Sequence, residues 1–559
     1  MDLGEHPPPA SVRAQLLGVA LVVAVALLAT WPARLGSYVY DDQYYLVENP
    51  AVSGDASPWT SRLGLDEQAL WRPLTVASWR LQWSDSAAAA GRMRLANVLL
   101  HAAASVLVLL VARRLGLGAG GGLAAGLLFA AHPVHAETVA WISARSELLA
   151  TLLVLGGWLA HLSQRRGAAA ASAALVGAAC LAKENALLAP LLFLAADLLL
   201  HRRPRWGRLS AQAGACALVA ALHVLVAGRP LPGDAPFADL PLGTRAGVAV
   251  QILGRALLLL AWPHPLVVFR PRDDFLGAHA LPLAAVLLAG AATLLLWRRQ
   301  RLAAACLLLL PLSLLAVLNL VPIGATFAER FLYLPSMLAC CAAGALLEAL
   351  GRAERRSGRG LGLSLLAPLA VLAVWVPLCR ADVALFHDDL TLWAHAAQVR
   401  PDVPHIRYNH GYFLAEAGRL LAEDVDRPDA QSELEASLRL EPHHLYAGLA
   451  HARLGQLLLQ GRGARPPDAL RAAAHFRQAI ALMPGHADSR INLAAIAAAA
   501  PALVTPQEGR DALAPLLGAP GLSPAQSQAV GRLEHELTQL LESSGAGSPT
   551  TGTSSPEGS

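Results

Sequence analysis

Lysine is nearly missing from this 559-residue chain: Lys183 is the single one, and arginine supplies the rest of the 44 Lys and Arg side chains. Charge of either sign is scarce, at 15% of residues. The net charge of +4 is too small to argue for a nucleic-acid partner. Scarce lysine beside abundant Ala, Leu, Gly and Pro points to a GC-rich bacterial genome. Cysteine is sparse as well. Cys180, Cys216, Cys306, Cys340, Cys341 and Cys379 all lie in or at the end of apolar runs. They form neither a C-x-x-C zinc pattern nor a disulfide framework, and read as small buried apolar side chains. What the chain has in quantity is hydrophobicity: 55% of residues are hydrophobic and the mean hydropathy is +0.45. That is the composition of a membrane protein.

A helical crossing of a bilayer takes about 20 apolar residues. Such runs fall near 15–35, 95–112, 119–132, 146–162, 168–182, 185–200, 209–227, 279–297, 302–321, 331–350 and 361–379. The first reads as a span and not a cleaved leader, because no A-x-A-like site follows it. Arginine clusters at Arg113–Arg114, Arg165–Arg166, Arg202–Arg208, Arg298–Arg301 and Arg352–Arg359 occupy every second connection. The positive-inside rule makes those connections, and the N-terminus, cytoplasmic. One further run, 244–262, would break the alternation. It carries Gln251 and Arg255, and a mid-bilayer arginine costs roughly 3 kcal/mol on insertion scales. It is therefore expected along the outer interface or re-entering. The count is about eleven spans, with the C-terminal region on the non-cytoplasmic side.

After residue 380 polar residues return and the apolar positions take helical spacing. Pro401, Pro442 and Pro484 each close such a helix, and Gly411 and Gly455 mark close helix approaches. This resembles tetratricopeptide repeats, best at Leu454, Gly455, Leu458, Ala473, Phe476, Ala479 and Pro484, with a period wider than the usual 34. The expected domains are a membrane domain over 1–380, a helical-repeat domain over 381–542 and a disordered tail over 543–559.

The polar motifs converge on the membrane face opposite the arginine clusters. "SYVYDDQYYLVENP" sets Asp41 and Asp42 just past the first span; Arg72 lies in the same loop. "AAHPVHAETVAWISARSE" carries His132, His135, Glu137 and Arg145; "AKENA" carries Lys183 and Glu184; "ATFAERFLYLPS" carries Glu329 and Arg330. That asymmetry fits chemistry on a lipid-phosphate sugar donor presented at the interface. Arg or Lys would hold the phosphate by charge-assisted hydrogen bonds, and a carboxylate would take the proton of an acceptor hydroxyl. Blander readings stand beside these. Asp41 and Asp42 could solvate a loop or ligate a divalent cation. His132, His135 and Glu137 have ligand-like spacing, but Pro133 interrupts a helix there and zinc needs a complete set. Glu329–Arg330 and Lys183–Glu184 also read as structural ion pairs.

"YVYDDQYYLVENP", "WRPLTVASWRLQW", "HPVHAETVAWISARSELLATL", "LAKENA" and "AERFLYLPS", in this order and followed by the repeats, make the chain resemble the transmembrane and tetratricopeptide repeat protein O-mannosyltransferase family. That family belongs to the C-type glycosyltransferase superfamily. The resemblance implies an all-α fold: a polytopic bundle of about eleven spans with a C-terminal tetratricopeptide-repeat α-solenoid. It implies inverting transfer of a sugar, mannose, from a polyprenyl-phosphate donor to Ser or Thr hydroxyls of proteins on the non-cytoplasmic face. A first-loop acid pair carries the base, which maps to Asp41 with Asp42 in support. Arg72, Arg145, Lys183 and Arg330 are expected phosphate or sugar contacts, with His132, His135, Glu137, Glu184 and Glu329 as further substrate-binding candidates. No metal site or resident cofactor is assigned; a divalent cation stays open. The expected partners are the lipid-linked donor, a polypeptide acceptor held by the repeats, and the membrane, the bacterial inner membrane with the repeats in the periplasm. Two rivals remain. One is a non-catalytic repeat scaffold for envelope assembly. The other is a transporter, which predicts charges deep within several spans, where few occur.

Overall fold

The computed structural model describes residues 11–63, 70–86, 88–228, 235–358, 360, 362–418, 428–461 and 467–545. Of the tail expected at 543–559, everything beyond 545 lies outside the described residues. Among the described residues the regular structure is helical, apart from one antiparallel bridge between Leu63 and Leu70. The chain divides into two units, Met1–Leu392 and Trp393–Ser559. The division falls beyond residue 380 because the last apolar helix runs on to Ala384 and a 3-10 turn to His387.

The first unit contains α1 (Val12–Thr30), α2 (Ala88–Leu115), α3 (Ala119–Ala131), α4 (Arg145–Leu162), α5 (Ala168–Ala182), α6 (Ala189–Leu199), α7 (Trp206–Ala227), α8 (Leu242–Ala261), α9 (Ala280–Leu296), α10 (Arg301–Leu314), α11 (Tyr333–Arg356) and α12 (Leu363–Ala384). Among the described residues seven helical segments are long and apolar enough to cross a bilayer, and four more apolar helices are shorter. The seven include α8, the run expected to lie unpaired; α6 has only 11 residues, its first turn being the 3-10 segment Glu184–Leu188.

Side-chain bonds fix which helix ends lie together. Arg202 donates to the carbonyls of Arg114 and Leu115 (2.9 and 3.0 Å), and Arg301 to that of Leu199 (2.8 Å). The ends of α2 and α6 and the start of α10 therefore share the arginine-rich end. At the other end Lys183, ahead of α6, meets Glu147 at the start of α4. Arg62, in the first loop, reaches the Val226 carbonyl of α7 at 3.1 Å. The short α6 thus still runs between the two ends. α8 does not. Arg245, near its start, donates to Leu320 just past α10 (2.9 Å), and its Leu260 carbonyl accepts from His132 (3.2 Å). Midway, Gly254 sits on the backbone of Pro282 at the start of α9. Both termini and the middle of α8 are held at the motif-bearing end.

Small residues let the central helices touch. α3 buries Gly121, Gly122, Ala125 and Gly126, and a Cβ on Gly344 of α11 would lie 2.4 Å from the Gly121 carbonyl oxygen. Apolar surroundings give no hydrophobic force between membrane helices, so such close packing must hold them. At the arginine-rich end buried polar side chains partner one another. His161 contacts Asp197 (3.0 Å) and Gln212 (3.2 Å), and Arg205 pairs with Asp197 at 3.0 Å.

The second unit pairs α13 (Pro404–Glu416) with α14 (Ala430–Leu440), α15 (Ala447–Gln460) with α16 (Ala469–Leu482), and α17 (Ala487–Ala499) with α18 (Pro506–Leu513), followed by α19 (Pro524–Gly545). Asp429 and Ser432 form a reciprocal cap at the start of α14. Gly455 admits the ring of buried Phe476, which a Cβ would meet at 2.7 Å, and Gly411 fits against Leu434 and the Ala430 carbonyl. These are the close approaches the glycine positions predict.

Candidate active site

Tyr40 has a left-handed backbone (φ 56°). That turn, followed by a short π-helical turn over Gln43–Val47, sends the two neighbouring acids to different places. Asp42 is fully buried. Its Oδ1 accepts from the Ser143 amide (2.9 Å) and hydroxyl (2.6 Å), and its Oδ2 from the Val39 amide (3.2 Å). Burial pushes its pKa up, against the opposing charge of Arg94 and these hydrogen bonds. Three donors on one buried carboxylate make it a bolt between the first loop and the next outer connection.

Asp41 is part-exposed, and among the described residues no hydrogen bond engages its carboxylate. Burial, against the opposing charge of Arg330 and with the added repulsion of Asp42 and Glu137, pushes its pKa up to about 6. A carboxylate with free lone pairs and a pKa near neutrality is the right kind of group to take a proton.

Three ion pairs form the charged layer, and the charges of Arg330 and Glu137 act directly on Asp41. Arg330 holds Glu137 through both its guanidinium and its amide (2.9 Å for the amide), and lies over the Trp141 ring at 4.8 Å. Lys183 pairs with Glu147 and lies 5.2 Å over the Phe331 ring. Arg72 grips Glu184 with two bonds of 2.9 and 2.6 Å. Burial works against the Glu184 anion, yet the Arg72 charge and hydrogen bond bring its pKa down to about 2. Tyr45 completes the layer: burial first, then the Asp41 charge, raise its phenol to about 12, while Arg72 and Arg330 oppose. Arg72 and Arg330 keep 17% and 19% of their side chains exposed, whereas Lys183 keeps 5%. The two arginines are therefore the cations that can meet a ligand, since each guanidinium retains donors beyond its carboxylate partner.

Asp41, Arg72, Glu137, Lys183, Glu184 and Arg330 thus come together, with Asp42 fastened to Ser143. Four other expected contacts sit elsewhere. Arg145 is buried and staples the interior, donating to Asn97 Oδ1 (2.7 Å), the Met93 carbonyl (2.7 Å) and the Ser78 carbonyl (3.1 Å). Glu329 is buried and accepts from the Val267 amide (2.9 Å) and Arg270 (2.8 Å). It does not pair with the adjacent Arg330, nor Lys183 with Glu184, so both neighbouring ion pairs read from the sequence are exchanged for long-range ones. His132 and His135 are buried in an aromatic cluster with His101, Phe129, Tyr333 and Trp375. His132 donates to the Leu260 carbonyl, and His135 bonds Ser336 (2.8 Å). Among the described residues no three His, Cys, Asp or Glu side chains are arranged to hold a metal ion.

Glu147, Trp141, Tyr45 and Ser143 were not singled out by sequence reasoning. Glu147 carried a usable signal: an acid entering an apolar run demands a cationic partner. Ser143 carried none.

Seven helical segments fit to cross a bilayer, capped at one end by a charged layer, define an integral membrane protein. No protein-family model matches the chain. Part of it is similar to proteins named protein O-mannosyl-transferases. It is 37% identical over 194 residues to protein O-mannosyl-transferase Tmtc1 of Drosophila melanogaster, covering 32% of this chain and 22% of that protein. The values for Tmtc2 of the same organism are 36% over 173 residues, 27% and 18%. For human TMTC4 they are 31% over 181 residues, 28% and 24%. The match therefore spans about a fifth of the length of these relatives. Among solved structures, the Archaeoglobus fulgidus oligosaccharyltransferase is 14% identical at a TM-score of 0.40, covering 77% of this chain and 60% of that one. ArnT from Cupriavidus metallidurans bound to undecaprenyl phosphate gives 14%, 0.38, 77% and 85%.

Proposed function

We propose that the chain is a membrane glycosyltransferase that moves a sugar, mannose, from a polyprenyl phosphate to Ser or Thr hydroxyls of proteins. The observation that carries this reading is Asp41: a carboxylate that no hydrogen bond engages among the described residues, with a pKa of about 6, under the charge of Arg330, which lies over the Trp141 ring. Asp41 takes the acceptor hydroxyl proton as the oxygen attacks the anomeric carbon. The bond from that carbon to the phosphate oxygen breaks, its electron pair leaves with the phosphate, and the configuration inverts. Arg72 and Arg330 hold the developing phosphate charge by charge-assisted hydrogen bonds. Part-exposed Tyr45 offers a face for a sugar ring, while buried Trp141 backs Arg330. The similarity to protein O-mannosyl-transferases supports the choice of sugar and acceptor.

In this reading the bundle crosses the membrane eleven times with α8 lying across its outer ends. That places the charged mouth and the helical pairs of the second unit outside, in the periplasm of a bacterial inner membrane. The pairs act as tetratricopeptide-type repeats that hold the polypeptide acceptor. Single-turnover transfer from lipid-linked sugar tests the assignment. General-base catalysis is typically worth about 10²–10⁴-fold, and Asp41→Asn should lose that factor while binding donor normally. Wild-type rates in Asp41→Asn end the base assignment. Unchanged activity after stringent chelation would set aside the divalent-cation role for the acids.

A further inference from the structure

At the arginine-rich end, a cavity of about 650 Å³ opens between the α9–α10 connection and the last turns of α11, lined by Arg299, Gln300, Ala349, Arg352, Ala353 and Arg356. It lies at the opposite end of α11 from Arg330; 24 helical residues separate the two by roughly 36 Å. Three arginines face one concavity. Among the described residues only Arg352 has an acidic partner, Glu348 at 2.7 Å, and it stays 48% exposed. Among the described residues no hydrogen bond or ion pair engages the guanidinium of Arg299 or Arg356. Three helix-end guanidiniums with one carboxylate between them leave an excess of positive charge that calls for an anion.

The surroundings say which kind. Leu295 lies one helical turn before Arg299 on the same face, and both Leu294 and Leu295 are among the most exposed apolar side chains of the bundle. On α11, exposed Leu346 leads along the same stripe to Ala349 and Ala353, with Arg352 and Arg356 one turn apart beside it. Trp297 sits between the leucines and the arginines, with Arg301 stacked on its ring at 4.6 Å. An aromatic–basic band at the end of an apolar face marks the headgroup level of a bilayer. We propose that this cavity binds the phosphate of an anionic phospholipid of the adjoining leaflet, its acyl chains lying along the exposed leucines of α9 and α11. Basic pockets between membrane helices recognise lipid headgroups in this way.

The test uses the full-length purified protein, delipidated in a neutral detergent, with phosphatidylglycerol titrated by native mass spectrometry. Near a membrane surface each arginine contributes about one kcal/mol of attraction. The triple variant Arg299→Gln, Arg352→Gln, Arg356→Gln should therefore bind on the order of a hundredfold more weakly. The variant Arg165→Gln, Arg166→Gln, Arg203→Gln removes the same charge from the same end and should bind as wild type. Ala353→Phe fills the cavity without changing charge and should lose binding to a similar degree; it decides the matter if the first triple variant does not fold. Equal weakening in the two triple variants overturns the proposal, as does wild-type binding by Ala353→Phe or equal binding of phosphatidylcholine. Inorganic phosphate that competes as well as phosphatidylglycerol would show a soluble-anion site and overturn the lipid assignment.

Discussion

Adjacent in sequence, Asp41 and Asp42 differ in what their oxygens touch, and their variants should differ accordingly. Asp42→Asn replaces an acceptor with an amide that faces Ser143 and Val39 donors. Leaving buried donors unpaired costs about 1–3 kcal/mol, more for charged groups. Asp42→Asn should therefore lower the thermal midpoint in detergent, while Asp41→Asn should leave it unchanged and slow transfer by about 10²–10⁴-fold. The sign of the pH dependence follows from the raised Asp41 pKa. Protonated below about 6, Asp41 cannot accept a proton, so transfer should climb through that region and level off above it. Arg330 lowers the Asp41 pKa; Arg330→Gln should move the acidic limb to higher pH as well as slow turnover. A limb that stays put in Arg330→Gln would separate the pH dependence from Asp41. The acid pair was legible in the sequence because paired carboxylates beside an apolar run are conspicuous. Its division of labour was not, because the partner Ser143 lies about a hundred positions away with nothing local to announce it.

Helices were readable from apolar runs, and their ends from arginine clusters, since length and charge bias are local properties. What the runs could not tell was where each helix is anchored. α8 has the length and the hydropathy, yet its bonds to Leu320 and His132 and its seat on Pro282 keep it at one end. α6 shows the converse: a run of spanning length delivers only 11 α-helical residues, because Glu184–Leu188 winds as a tighter turn. Tight packing was foreseen only in the repeats. In the bundle, Gly344→Val should wedge α11 off the Gly121 carbonyl of α3. Overpacking of that kind typically costs about 1–3 kcal/mol. The expected readout is a lower midpoint of thermal unfolding in detergent, without loss of expression; an unchanged midpoint would mean that the helices separate freely there.

Over the whole molecule, topology is the arrangement on which the mechanism depends. A reporter active only outside the cytoplasm, fused after residue 400, should give signal, and so should one placed at residue 265 beyond α8. A cytoplasm-only signal at either site would remove the proposed topology and, for residue 400, the acceptor role of the repeats. The histidine cluster has a consequence for the same membrane. Its donor bonds run out on the main chain: His101 ends on the Ala130 carbonyl, His132 on the Leu260 carbonyl, and His135 through Ser336 on the Tyr333 carbonyl, while the other His101 nitrogen accepts from the Tyr333 hydroxyl at 2.8 Å. A carbonyl accepts a proton's hydrogen bond but has no proton of its own to hand on. Three imidazoles at depth would elsewhere suggest a proton wire; here they are dead ends. In the proposed reaction a proton taken by Asp41 is therefore not handed on through this cluster. Proteoliposomes carrying this protein should therefore hold a pH gradient as tightly as empty ones, whether or not transfer is under way.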